Sequence, residues 1–356
     1  MVPNIGPVQS KLIANYYSGD IQRVFAASVK ELSSIEGIGT VKASSIAQFD
    51  NFKAAEAECT FIQNNNITTY FVTDDNYPTR LINMYDTPTM LYYKGTANLN
   101  APKIVAVVGT RNNTEYSKKM VEELAINLAP HNIMILSGLA FGVDALAHKA
   151  ALHNNIPTVG VLAHGLDIIY PTVHNKLAAD MLNNNGGLLT EFRSGTNPER
   201  HNFPTRNRIV AALADVVVVV ETDLKGGSMI TAELANGYNK DVCAYPGKVI
   251  DAKSAGCNYL IKKNKAALIT CAADVLALMN WETNQAKPAV QQRQLFITLS
   301  EQEQLIVNTL NARPKVHIDE LAAITQLTPS AMAGALLSLE LQNVILTLPG
   351  KIITMA

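Results

Sequence analysis

No CxxC pair occurs anywhere in this chain, and its four cysteines, Cys59, Cys243, Cys257 and Cys271, are scattered over 356 residues. That spacing disfavours thiolate metal sites and a disulfide framework. The cysteines are expected to be small core residues in a reducing compartment. Charge of one sign is equally scarce. The net charge is −1, so a polyanion must be held by a local patch and not by the field of the whole molecule. No apolar run reaches the ~18 to 20 residues that a membrane-spanning helix needs. The opening "MVPNIGPVQSK" lacks a basic stretch followed by an apolar one, so a cytoplasmic location and no membrane contact are expected. Hydrophobic residues are 48% of the chain and charged residues 17%, which suits a globular protein with a sizeable core. The length suggests two or three domains.

Familiar catalytic signatures are also missing. The first strand of the α/β region is followed by a single Gly109 in place of G-x-G-x-x-G, and no G-x-x-x-x-G-K-[ST] occurs. Ser137 lies in a Ser-Gly turn, not in a G-x-S-x-G elbow. A dinucleotide dehydrogenase, a P-loop nucleotidase and an α/β hydrolase are each disfavoured. Asp144 and His148 stand four apart, and His164 lies near Asp167; a carboxylate in a helix's first turn near a histidine reads first as structural.

What is present is a regular alternation. Lys103–Val108, Ile133–Leu136, Thr158–Leu162, Leu188–Glu191, Val216–Glu221, Val242–Tyr245 and Ala267–Ile269 read as continuous apolar strands. Between most of them lie helical patterns, at Glu115–Ala129, Val143–Asn154, Val173–Asn184 and Met229–Asn239. The pattern predicts an α/β fold, a Rossmann-like, mostly parallel sheet covered on both faces. Ligands of such sheets collect at the C-terminal strand ends, beside helix N-termini.

Nearly every turn at those ends carries glycine with a polar or cationic neighbour: "VVGTR" (107–111), "LSGLAFGVD" (136–144), "LAHGLDIIYP" (162–171), "ETDLKGGSMITAE" (221–233) and "YPGK" (245–248). Glycine admits a ligand close to the backbone, and amides at a helix start donate to anionic oxygens. "KGGSMITAE" is the strongest candidate cradle, with Lys225, Gly226, Gly227 and Ser228 following the longest strand. Arginines are concentrated nearby. Arg193, Arg200, Arg206 and Arg208 fall between two strands and face the single acid Glu199; a solvated charged loop is the bland reading, but with Arg111 and Lys225 at other strand ends a convergent basic pocket is expected. Arginine also stacks on bases, so an unpaired strand suits this supply better than a rigid duplex, with Phe203, Tyr245 or Arg111 as stacking candidates.

Together these turns resemble the DprA/Smf family of DNA-processing proteins. The resemblance covers residues from about 75 to 265: "NYPTRLINMYDTPTMLYYKG" (76–95), "VAVVGTR", "SGLAFGVDALAHKAAL" (137–152), "GLDIIYP", "FPTRNRIVAAL", "GGSMITAELA", "YPGK" and "AGCNYLI" (255–261), in that order. It implies a core that binds single-stranded DNA, delivers it to the RecA recombinase during natural transformation, and forms a homodimer. It implies a phosphate pocket lined by Gly109 and Arg111, by Ser137 and Gly138, by Arg206, Asn207 and Arg208, and by Lys225 through Ser228. No catalytic residue, metal or cofactor carries over. The departure is at "KGGSMITA", where the family more often has serine before the glycines and leucine after the second serine. An alternative is a nucleotide-processing enzyme resembling the phosphoribohydrolases with P-G-G-x-G-T-x-x-E. "KGGSMITAE" keeps that motif's glycine pair and its acid, Glu233, but not the residues between.

Domains are expected at 1–58, 59–282 and 298–356, with a polar, proline-containing linker at 283–297. The first resembles a small helix-hairpin-helix, SAM-like domain in which Gly37 and Gly39 form a tight turn and Lys42 stands close enough to assist a phosphate. Five basic and four acidic side chains in residues 1 to 55 leave a secondary DNA contact and a structural role both open. The last resembles a winged helix. Its third helix, "PSAMAGALLSLELQN", has no lysine or arginine, whereas a major-groove reader needs cationic and amide side chains there. Packing or protein contact is expected of it in place of duplex binding.

Overall fold

The computed structural model describes residues 2–281, 299–313, 315–342, 344–348 and 351–355. The chain divides into two compact units, Met1–Thr283 and Asn284–Ala356. The expected linker at 283–297 lies outside the described residues.

The first unit begins with four short helices, α1 (Pro7–Tyr16), α2 (Ile21–Ala26), α3 (Val29–Ser33) and α4 (Thr40–Ala47). They close around Ile13, Tyr17, Val24, Leu32, Ile35, Ile38 and Ile46. Helix α5 (Phe52–Asn64) follows and runs straight through the boundary expected at residue 58.

Nine strands form one sheet: β1 (Thr68–Phe71), β2 (Met90–Gly95), β3 (Ile104–Val108), β4 (Met134–Ser137), β5 (Thr158–Val161), β6 (Gly187–Thr190), β7 (Val216–Val219), β8 (Asp241–Ala244) and β9 (Ala267–Leu268). Their order is β1-β2-β6-β5-β4-β3-β7-β8-β9. Every pair from β6 across to β9 is parallel, and the two added strands at the β6 edge are antiparallel. The pleat explains the apolar runs. Ile104, Ala106 and Val108 point into one core cluster with Val217 and Val219, while Val105 and Val107 point into the opposite one with Val216, Val218 and Val220.

Helices cover both faces. After the short α6 (Thr79–Ile82) come α7 (Glu115–Leu128), α8 (Val143–His153), α9 (Asn175–Asn183), α10 (Asn202–Leu213), α11 (Gly227–Gly237), α12 (Ala255–Lys262) and α13 (Ala272–Leu278). Residues of α10, α11 and α12 fill the first cluster, and residues of α7, α8 and α13 the second. Successive strands β3 to β6 build outward in one direction; the chain then crosses through α10 to place β7 on the other side of β3. The switch point therefore lies between β3 and β7, where a doubly wound sheet opens a crevice at its carboxyl ends.

Helix α10 carries Arg206 and Arg208, in a stretch where the sequence pattern indicated no helix. Pro204 falls in its first turn, where the missing N–H costs nothing. From Arg206 to Leu213 only Asn207 is not buried, so the segment has no polar stripe by which a surface helix declares itself.

The second unit holds α14 (Glu301–Ala312), α15 (Ile318–Thr325) and α16 (Pro329–Leu341) over a three-stranded sheet in the order β10-β12-β11. The hairpin is β11 (Ile345–Leu348) with β12 (Ile352–Met355); its expected Pro349-Gly350 turn lies outside the described residues. The third strand, β10 (Lys315–His317), pairs with β12 and was not apparent from the sequence pattern. Leu337 and Leu341 on α16 are exposed.

Candidate nucleic-acid interface

A groove of about 740 Å³ runs along the switch point. Its walls come from the turn after β3 (Gly109, Thr110, Arg111), Gly138 after β4, and the segment from Thr222 to Ser228 that leads into α11. Arg206 and Asn207 of α10, together with Arg200 just before it, complete it. Nine of the eleven residues named for the phosphate pocket are thus brought together: Gly109, Arg111, Gly138, Arg206, Asn207, Lys225, Gly226, Gly227 and Ser228.

Three of the groove's cations, Arg111, Arg200 and Lys225, are exposed, and none takes part in an ion pair among the described residues. Helix α11 starts at Gly226 with no side chain capping it, so its first amides and the positive end of its dipole are left for an anion. The guanidinium of Arg111 lies 5.2 Å from the centre of the Phe203 ring, and Tyr170 packs 6.1 Å from the same ring. The surface thus pairs cations with a half-exposed aromatic platform.

Arg206 plays a different part. It is 4% exposed, and one guanidinium nitrogen donates to the carbonyls of both Gly138 and Val161, tying the end of β4 to the end of β5. A Cβ at position 138 would lie within 2.6 Å of that guanidinium, which is why glycine stands there. Burial lowers the Arg206 pKa to about 10, and the nearby Asp144 carboxylate opposes that fall. Asp144 is buried too. Desolvation raises its carboxyl, while Arg206 and the backbone N–H of Ala140 lower it. Arg206 is therefore a charged brace under the groove floor, with the Asp144 carboxylate near enough to favour its charged form.

Two expected site residues are not in the groove. Arg208 is buried on another face of α10, ion-paired with Glu191 and with Asp86, 3.8 Å from its Nε. A guanidinium satisfied in this way has no charge to offer an outside anion. Ser137 is fully buried and donates to the carbonyl of Val107 at 2.7 Å, so it stitches β4 to β3. Tyr245, a stacking candidate, is a core residue at 2% exposure.

Residues 68–280 match the family model described as DNA recombination-mediator protein A. The chain belongs to the DprA/Smf family. It is 41% identical to the DNA processing protein DprA of Streptococcus pneumoniae over 208 residues, 58% of this chain and 73% of that protein. It is 33% identical to protein Smf of Escherichia coli over 270 residues, 74% of this chain and 72% of that protein. The solved structure of the S. pneumoniae protein matches with a TM-score of 0.68 at 34% identity, over 77% of this chain and 93% of that one. The Helicobacter pylori DNA processing protein A, described as having a unique single-stranded DNA binding mode, matches with a TM-score of 0.54 at 34% identity, over 60% of this chain and 95% of that one. Residues 288–351 match the DprA winged helix domain and residues 20–49 a helix-hairpin-helix motif.

In this DprA/Smf chain the helix-hairpin-helix turn is formed by Gly37, at φ +85°, and by Gly39, which opens α4. The positive φ accounts for glycine at 37. Lys42 is half-buried and reaches back to the Gly37 carbonyl at 3.4 Å. Glu233, the acid of the alternative enzyme motif, lies outside the groove and is ion-paired with Lys265 at 2.7 Å. The motif's glycines are in place, but its carboxylate faces elsewhere.

Asp144 and His148 do not bond to each other. Thr158 donates its hydroxyl to the Ile135 carbonyl, so it accepts from Nδ1–H of His148 at 2.7 Å. His148 Nε2 is then a bare, buried acceptor with no partner among the described residues, and Asp144 instead takes the backbone N–H of Ala140 at 3.3 Å. Burial, aided by His174 and Arg206, pushes the His148 pKa down to about 3. Its folded pKa lies below the unfolded value, so its contribution is complete at neutral pH and is lost as pH falls from 6.5 toward 3. Denaturant titrations should show about 2 kcal/mol less stability from this group at pH 5 than at pH 7. His148→Asn, which keeps a donor for Thr158 without a titrating ring, should flatten that part of the pH profile.

Proposed function

We propose that this chain is a non-enzymatic single-stranded DNA-binding recombination mediator. Phosphates run past Arg111, Arg200, Lys225 and the bare start of α11, and bases lie toward Phe203 and Tyr170. The observation that carries the reading is the set of exposed, unpaired cations converging with uncapped amides in one groove. Binding of this kind tolerates most base sequences, because stacking and phosphate contacts carry little sequence information. On the same reading the bound strand is handed to the RecA recombinase during natural transformation, and the chain acts in the cytoplasm as a homodimer through its α/β core. The pairing of Glu233 with Lys265 argues against the phosphoribohydrolase alternative.

A fluorescent oligonucleotide, single- or double-stranded, titrated with the purified chain at two salt levels tests this. The single strand should bind more tightly than the duplex. For three to four phosphate contacts, Kd should rise roughly 15- to 50-fold over a fourfold increase in salt. Equal affinity for both forms, or no salt dependence, would overturn the reading.

A further inference from the structure

Glu58 is the buried acid of the N-terminal helices. It lies in the middle of α5, is 6% exposed, and has no cation within ion-pair distance among the described residues. Its carboxylate is spent on one residue of a distant loop. One oxygen accepts the backbone N–H of Ser194 at 3.0 Å, and the other accepts the Ser194 hydroxyl. A buried carboxylate is costly unless its hydrogen bonds are well made, so two donors from a single serine amount to a firm clasp.

Ser194 belongs to the eleven-residue connection between β6, which ends at Thr190, and α10, which begins at Asn202. That connection supplies Pro198 and Arg200 to the groove. Its other holds include the Glu191–Arg208 ion pair, the Thr196 carbonyl, which accepts from the Gly165 N–H at 3.1 Å, and the Asn197 carbonyl, which accepts from the Asn202 side chain at 3.1 Å. Among the described residues, Glu58 alone reaches the loop by hydrogen bonds from helices α1 to α5. The loop is anchored on both flanks of Arg200, and on the strand side the clasp from α5 adds to the holds on Glu191 and Thr196 that the core itself supplies.

We infer that Glu58 is a positioning residue for nucleic-acid binding: its clasp on Ser194 sets Arg200 against the groove. The N-terminal helical region thereby governs how tightly the core holds a single strand. The inference rests on the binding function proposed above.

The test uses the full chain, a fluorescent oligothymidine probe, and the variants Glu58→Ala, Glu58→Gln, Arg200→Ala and Glu58→Ala/Arg200→Ala. Glu58→Ala should raise Kd about three- to ten-fold and lower the slope of log Kd against log salt by about 0.7, the share of one single-strand phosphate contact. The double variant should bind no worse than Arg200→Ala, because both changes remove the same contact. Glu58→Gln, whose amide oxygen still accepts the Ser194 N–H, should stay within about two-fold of the parent. Additive losses in the double variant, or an unchanged Kd and slope in Glu58→Ala, would overturn the inference while leaving DNA binding intact. A parent chain that fails to bind the probe would remove the binding function itself. Should Glu58→Ala not fold, Ser194→Ala loses one of the two hydrogen bonds and should show the same change in smaller measure; parental binding by it would count against the clasp.

Discussion

Arg206→Met is expected to lose about 2–4 kcal/mol of folding stability, the cost of leaving two buried carbonyls without their donor and a buried carboxylate without the cation near it. The guanidinium holds two carbonyls at the ends of adjacent strands, and its charge offsets that of the buried Asp144. Methionine fills much of the volume but leaves Asp144 unneutralised and both carbonyls without their donor. Adding Asp144→Asn should recover part of the loss, since the orphaned charge is then gone. The pH dependence follows from the direction of the Asp144 shift. An acid whose folded pKa is raised destabilises the fold above that pKa, and the penalty fades as pH falls through it. Without Arg206 the rise is larger, so the gap between variant and parent should narrow in acid. Urea titrations of both proteins at two pH values measure this. An Arg206→Met chain as stable as its parent would mean that the brace carries nothing. Weak DNA binding by this variant alone would therefore not identify a phosphate contact, because the groove floor is disturbed with it.

The two arginines of "FPTRNRIV" show how far sequence reasoning reaches. Their concentration beside the sheet edge was legible, as were seven parallel strands, because both are local patterns in composition and period. Their fates were not. Arg208 meets Asp86, 122 residues earlier in the chain, and Glu191, 17 residues earlier, through a fold that no spacing rule announces. Arg206 turns inward because Gly138 leaves room for it. Helix α10 was hidden because its buried half, Arg206 to Leu213, mixes arginines with apolar residues and leaves no polar stripe; β1 was hidden by its length of four residues, and β2 by the prolines of the "NYPTRLINMYDTPTMLYYKG" segment that precede it. Glu58 carried no signal at all: an acid in an amphipathic helix is usually solvated, and only its contact with Ser194 distinguishes it. Glycine-rich turns at strand ends were readable because their backbone demands are local. Which cation is free and which is already neutralised depends on tertiary pairing.

Arg111 is the opposite case to Arg206, and Arg111→Glu should separate them. Its side chain is exposed, joins no ion pair among the described residues, and rests on Phe203 through a contact worth about 0.5–1 kcal/mol at an exposed site. Stability should consequently change by no more than about 1 kcal/mol. The groove, by contrast, loses one positive charge and gains a negative one on a lining it shares with Arg200, Arg206 and Lys225. Like-charge juxtaposition with a phosphate costs several kcal/mol, so affinity for single-stranded DNA should fall about 100-fold, or ~2.7 kcal/mol. The salt slope should also drop, because fewer counterions are released when the strand binds. Arg111→Lys separates charge from stacking: it keeps the cation but loses the planar face that packs on Phe203, and should bind at an intermediate level. A stable Arg111→Glu chain that bound oligothymidine as well as the parent would show that phosphates pass elsewhere, whatever the convergence of cations in this groove.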